Sequence, residues 1–495
     1  MLVVAVAALL AFFASAGGGK GIVAETASRP FVNLKAFSRE GELAFISRGA
    51  LWVLEGASET MRKPRVPSGF APASPGFSRD GRWLAYLAIP ANQSLASQLW
   101  LANADGSHAR KVANLGVDQL VGWSPTADVL AAVAQAPGWL GGGYRGQVAA
   151  AVDLVHPSGA TERFVTLHGS AARPGYIEGA VWSPDGREIA VSTVGLGGPT
   201  ASATVRAYPL AGGRVTTWFS IRNDQRLLPA ACSPSCPGRE VFADLAGWWP
   251  RWGIGFWSIC CGASRSLDQT PLFLIAAPGS RPRLIAQTLE GGDTEPVAAG
   301  PGGALAVVET STLGRIYGQG KVVEHCSTRT GSCTPVPGAA IWTGVDNQPC
   351  PAGSSCTHPA RGTPGSAVTL EPSWSPTAPL LAYVKAPYSL TPDPTIGWYN
   401  IHQLYLWNAH TGTTHRVATV SGVSVPTWSR DGRGLLYVSG NGLWLAPATG
   451  GAPVEIEHPL FAKSVWSGIA SSAPPLATSY FGRIDWTGQF SWSST

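Results

Sequence analysis

The chain has 495 residues, a formal net charge of +5, 45% hydrophobic residues and 13% charged residues. With 60 Gly, 40 Pro and only 2 Met, it excludes helical bundles and coiled coils, which shun both Gly and Pro. The hydrophobic content excludes charge-driven disorder, and charge this dilute, with no basic run, excludes a nucleic-acid partner.

The chain opens on MLVVAVAALLAFFASAGGG. Leu2 to Phe13 are apolar without a break, and Ala14-Ser15-Ala16 fits a small-residue cleavage site. The run is shorter than the ~20 residues that span a bilayer. No Lys or Arg precedes it, so either the α-amino group supplies the only positive charge or the start lies further upstream. Residues 1–16 therefore read as a signal peptide and 17–30 as a short linker. The mature chain is expected to be secreted or periplasmic, with no membrane span.

A repeat then runs along the chain. Its first half reads FSREGELAF at 37–45, FSRDGRWLAY at 77–86, WSPTADVLAA at 123–132 and WSPDGREIAV at 182–191. It recurs as WWPRWGIGFW at 248–257, AGPGGALAVV at 299–308, WSPTAPLLAY at 374–383 and WSRDGRGLLY at 428–437. A partial ninth copy starts at Trp466. In each copy an aromatic residue ends a short strand, a turn follows, and an apolar strand begins. Asp-Gly, intact at 80–81, 185–186 and 431–432, marks a hairpin turn in which both residues tolerate positive φ.

The second half is another apolar strand closed by a Gly-bearing turn, as in QLWLANADG at 98–106 and QLYLWNAHTG at 403–412. A short final strand follows, such as HARKV at 108–112. Four strands, here a to d, in about 40 residues are the mark of a propeller blade. The expected fold is an all-β propeller of four-stranded blades over 31–460, with 461–495 closing or packing on it. Eight blades are expected, or seven if the copy at 248 is an insertion. The strand-a aromatics should pack between blades, and the tail 476–486 could pair near 21–34 to close the ring, which the sequence leaves open.

The eight Cys fall at 232, 236, 260, 261, 326, 333, 350 and 356. An even number in an exported chain reads as disulfides. Cys326 and Cys333 flank a c–d turn and should bridge, as should Cys350 and Cys356. Cys232 and Cys236 should pair with Cys260 and Cys261, in an order left open. No metal and no cofactor are expected. His402, His410 and His415, the densest His group, read as surface residues. No Gly-x-Ser-x-Gly elbow, HExxH helix or phosphate loop is present, so no catalytic residue is assigned.

The W-S-P-D-G…L-A-Y…L-W-L…G pattern resembles the TolB-like β-propeller repeat, a WD-repeat-like unit. The resemblance covers roughly 31–456 and implies fold more than function. The small α/β domain that TolB carries before its propeller has no counterpart here, so partners in that envelope system are not implied. Some TolB-like propellers act as lyases or lactonases through residues that converge from separate blades.

Insertions are expected at 135–147, 258–270 and 386–402 between b and c, and at 219–246 and 337–369 between d and a. All lie at one end of the blades, whereas drift would scatter them. Trp139, Tyr144, Arg145, Trp398 and Tyr399 in these loops are residue types enriched at hot spots. The expectation is a monomeric, non-catalytic exported propeller that binds a protein or cell-envelope component through this face. The alternative is a propeller enzyme, a lyase, lactonase or glycan hydrolase, working at the central channel.

Overall fold

The structure is a computed structural model. It describes residues 29–90, 96–139, 145–170, 174–196, 202–222, 242–258, 270–288, 297–310, 321–328, 331–337, 367–387, 401–417, 422–460, 478–479, 483–484 and 488–493. The signal-peptide reading and the partial copy at Trp466 lie outside these residues.

Strands form where the repeat places them, and all pairing is antiparallel. A representative unit, the fourth, runs Gly175–Trp182, Glu188–Gly195, Ser202–Pro209 and Thr216–Arg222 in spatial order a-b-c-d. The degenerate copies are units too. Asp244–Trp249 pairs with Gly253–Trp257, and Val297–Ala299 with Leu305–Thr310. The second and third units share one continuous sheet because Arg110–Trp123 serves first as strand d and then as strand a. First strands touch one another from the first unit to the fifth and from the sixth to the eighth, so these a strands converge while the d strands form the outer edges.

The strand-a aromatics hold one register position. Phe77 stands opposite Leu84, Trp123 opposite Leu130, Trp182 opposite Ile189, Trp374 opposite Leu381 and Trp428 opposite Leu435. The indoles also tie units together. Trp123 Nε1 donates to Gly76 O at 2.9 Å, Trp182 to Gly122 O at 3.0 Å and Trp428 to Ser373 O at 2.8 Å. Each bond satisfies a buried N–H that would otherwise cost the site its desolvation.

The first unit departs from expectation. Phe37 does not end a strand: Leu34–Phe37 is a 3-10 turn, capped by the Asn33 side chain on Ala36 N. Strand a comes instead from Phe490–Ser493, which pairs with Glu42–Ser47 and puts Trp492 opposite Leu43, the register position of the other aromatics. Phe37 is displaced into the core against Trp492, ring centroids 6.3 Å apart. Residues 21–28 and most of 476–486 lie outside the described residues, and the pairing between these segments with them. Thr478–Ser479 pairs with Arg483–Ile484, and Phe31–Val32 adds to the outer edge of the last sheet beside Val454–His458.

The Asp-Gly turns also differ from the two-residue form. Gly186 N bonds back to Ser183 O at 2.9 Å, so the turn spans Ser-Pro-Asp-Gly, and only the Gly has positive φ (66°). Asp185 acts as an acceptor: Oδ1 takes the Ser183 hydroxyl at 2.7 Å and Arg187 N at 3.1 Å. Ser78–Gly81 and Ser429–Gly432 repeat this arrangement.

A second device went unread in the sequence. Strands a of three units bulge at an X-Pro pair, Ser74-Pro75, Glu371-Pro372 and Val425-Pro426, facing the buried Tyr86, Tyr383 and Tyr437. Proline suits a bulge because no ladder N–H is lost there. The preceding residues have φ of 49°, 53° and 53°.

Candidate functional site

Antiparallel order puts all a–b and c–d turns at one end of the units and all b–c and d–a connections at the other. The a–b end is closed. Its turns are short, and five bonds run from one turn to another. Arg79 Nη1 donates to Pro125 O, Thr126 Oγ1 to Asp185 O at 3.3 Å, Arg251 Nη1 to Gly302 O at 2.7 Å, Thr377 Oγ1 to Asp431 O at 3.0 Å, and Arg430 Nη2 to Arg79 O. These arginines are consumed in holding the fold.

The opposite end carries the long connections, among them 223–243, 336–366 and 388–402. The expected insertion 135–147 is largely strand. Leu130–Trp139 and Arg145–Val155 continue the hairpin outward, and Trp139 stands directly opposite Arg145. Tyr144, Trp398 and Tyr399 lie outside the described residues.

Of the cysteines, Cys326 and Cys333 form the expected disulfide, directly cross-strand on Lys321–Cys326 and Cys333–Pro335. Cys232, Cys236, Cys260, Cys261, Cys350 and Cys356 lie outside the described residues. His402 corrects the surface reading. It is fully buried, with Nδ1 3.1 Å from Val423 O, and burial holds its pKa down at about 3.

The carboxylates that sequence reasoning missed sit on the a strands themselves, in the half nearest the long connections. Asp118 and Glu178 are the bulged residues of the third and fourth units, each unpaired in its ladder. A bulge re-aims a side chain that regular alternation would fix. Asp244 opens strand a of the fifth unit. The three strands are neighbours at this level: Gln119 Oε1 and Asp244 Oδ1 lie 3.4 Å and 3.6 Å from where a Cβ on Gly179 would stand. Desolvation raises the Asp118 pKa, and the Glu178 charge adds to the rise, against the hydrogen bond from Gln135. Glu371, by contrast, is structural, because its Oε2 accepts Val425 N at 2.5 Å and ties the seventh unit to the eighth.

Chemically, these carboxylates suit hydroxyl or cationic groups, and burial holds the Asp118 pKa above the usual carboxylate value. Among the described residues no three His, Cys, Asp or Glu side chains are arranged to hold a metal ion. No helix among them is long and apolar enough to cross a membrane.

No protein-family model matches the chain, and no curated protein matches it. Solved structures do. An oligogalacturonate lyase in complex with manganese aligns at 15% identity and TM-score 0.43, over 87% of this chain and all of that one. Prolyl oligopeptidase B from Galerina marginata aligns at 10% identity and TM-score 0.43, over 85% of this chain and 55% of that one. The β-propeller domain of the Trilobed protease from Pyrococcus furiosus aligns at 9% identity and TM-score 0.39, over 78% and 98%.

Proposed function

We propose that the eight units form one closed propeller of the TolB-like kind, exported from the cell, that binds a protein or cell-envelope component through the b–c and d–a face. One observation carries this reading. The a–b end is latched turn to turn by Arg79, Thr126, Arg251, Thr377 and Arg430, while every long connection stands at the other end. A binding surface is elaborated on one face of a rigid scaffold, and the opposite face is left to hold that scaffold together. Asp118, Glu178 and Asp244 lie at the elaborated end, so a hydroxyl-rich or cationic part of the partner meets acceptors there.

The test is capture of a partner from the envelope fraction by two variants. In one, residues 138–146 are replaced by a short Gly-Ser link, and in the other residues 390–399. Lost capture by either, with melting retained, is the expected result, and undiminished capture by both overturns the reading. Asp118 favours one further reading, a glycan-acting enzyme, because a carboxyl with raised pKa beside a second carboxylate suits an acid–base pair. Cleavage of glycans by the wild-type chain but not by Asp118→Asn would put that reading first.

A further inference from the structure

The positive charge of this chain is local. Residues 29–112 hold 11 of the 35 basic residues and 6 of the 30 acidic ones, a surplus equal to the net +5 of the whole chain, and the remainder balances. Within that stretch several cations are already occupied. Arg79 and Arg110 donate to backbone carbonyls, and Arg82 pairs with Asp80 and Asp128.

Lys63, Arg65 and Lys111 have no carboxylate partner among the described residues. They meet at the outer seam between the first and second units. Lys63 and Arg65 lie on the strap that leaves Thr60–Arg62, and they are exposed while Pro64 between them is buried. Lys63 Nζ stands 5.6 Å from the Trp52 ring centroid and Arg65 Cζ 6.0 Å from that of Trp100. Lys111 is the cross-strand neighbour of Trp100, so it shares that face. Arg62 borders the group, with Asp105 at 3.3 Å. The nearby Glu55 is engaged by Ser58 and Thr60.

We propose that this seam is a docking site for an extended acidic polypeptide segment. The charge sets the sign of the partner. The exposed–buried–exposed alternation sets its form, because cations two residues apart on an extended strap are about 7 Å apart, the spacing of alternate side chains on a partner strand. The stacked indoles hold the long cationic side chains in place, which lowers the ordering cost of binding. The site lies at the rim and does not depend on the channel wall.

The experiment is titration of the full chain with a fluorescent alternating Glu-Ser peptide at increasing salt. Expected are binding that weakens with salt, a loss of about tenfold or more in Lys63→Glu/Arg65→Glu/Lys111→Glu, and no change in Arg206→Glu, an exposed cation of the fourth unit. If the triple variant fails to fold, Lys111→Glu alone is expected to weaken binding. Equal binding by folded variants overturns the proposal. So does absence of peptide binding while a sulfated polysaccharide binds through the same residues. Trimming 138–146 or 390–399 leaves peptide binding unchanged, which separates this test from that of the channel face.

Discussion

Single side chains decide the turns. Gly186 has φ of 66°, and a Cβ there would stand 2.1 Å from Thr126 Oγ1, the atom that reaches Asp185 O. Gly186→Val is therefore expected to cost about 1–3 kcal/mol or more, read as a fall in melting temperature. Gly49 also has positive φ but open space around it, so Gly49→Ala falls at the low end of that range. The Asp residues of these turns carry a pH dependence. The Ser183 and Ser429 hydroxyls, then the Arg187 and Arg433 amides, hold Asp185 and Asp431 below the usual carboxylate range. Their contribution is complete above the unfolded value of about 3.9 and is lost as pH falls through the lower folded values. Melting temperature measured from neutral to strongly acid pH is expected to drop below about pH 4, and less so in Asp185→Asn/Asp431→Asn. The buried tyrosines form a pair of opposites. Tyr86 OH donates to Arg65 O at 2.5 Å, whereas Tyr437 OH has no partner among the described residues. Tyr86→Phe is expected to destabilise by about 1 kcal/mol and Tyr437→Phe to be neutral or stabilising, by denaturant unfolding.

At the level of elements, the repeat was legible because every copy but AGPGGALAVV at 299–308 joins an aromatic, a turn and an apolar strand. The exceptions have physical reasons. In the first unit, FSREG looks like a strand end, yet its slot is filled by FSWS from the far end of the chain, a four-residue strand with no distinctive flank. Asp118 and Glu178 were not legible as a pair, because a bulge is a register fault that alternation cannot predict. X-Pro two residues before the strand-end aromatic, at Pro75, Pro372 and Pro426, is the signal that marks some of these faults. The Cys326–Cys333 bridge was readable from the turn between them. It closes a small loop, with a sequence separation of 7. Cys326→Ser/Cys333→Ser is expected to lower stability by about 2–3 kcal/mol, with the difference vanishing when both proteins are melted in reductant.

For the whole molecule, the proposed ring rests on how the first unit meets the seventh and eighth. Leu43, Phe45, Leu435, Tyr437 and Leu406 fall in one core cluster that spans the first, seventh and eighth units, with Phe490 and Trp492 packed against it. Arg48 N donates to Leu460 O and Ile46 N to Gln489 O, both at 2.8 Å. A propeller that stayed open would leave the Glu42–Ser47 edge bare, a template for association. The most direct measurement is amide hydrogen exchange by mass spectrometry on the full chain and on a chain ending at residue 487. The account predicts that amides of 42–47 in the full chain exchange as slowly as those of 434–439, and that this protection collapses when 488–495 are removed. Equal protection of 42–47 in both chains would contradict it.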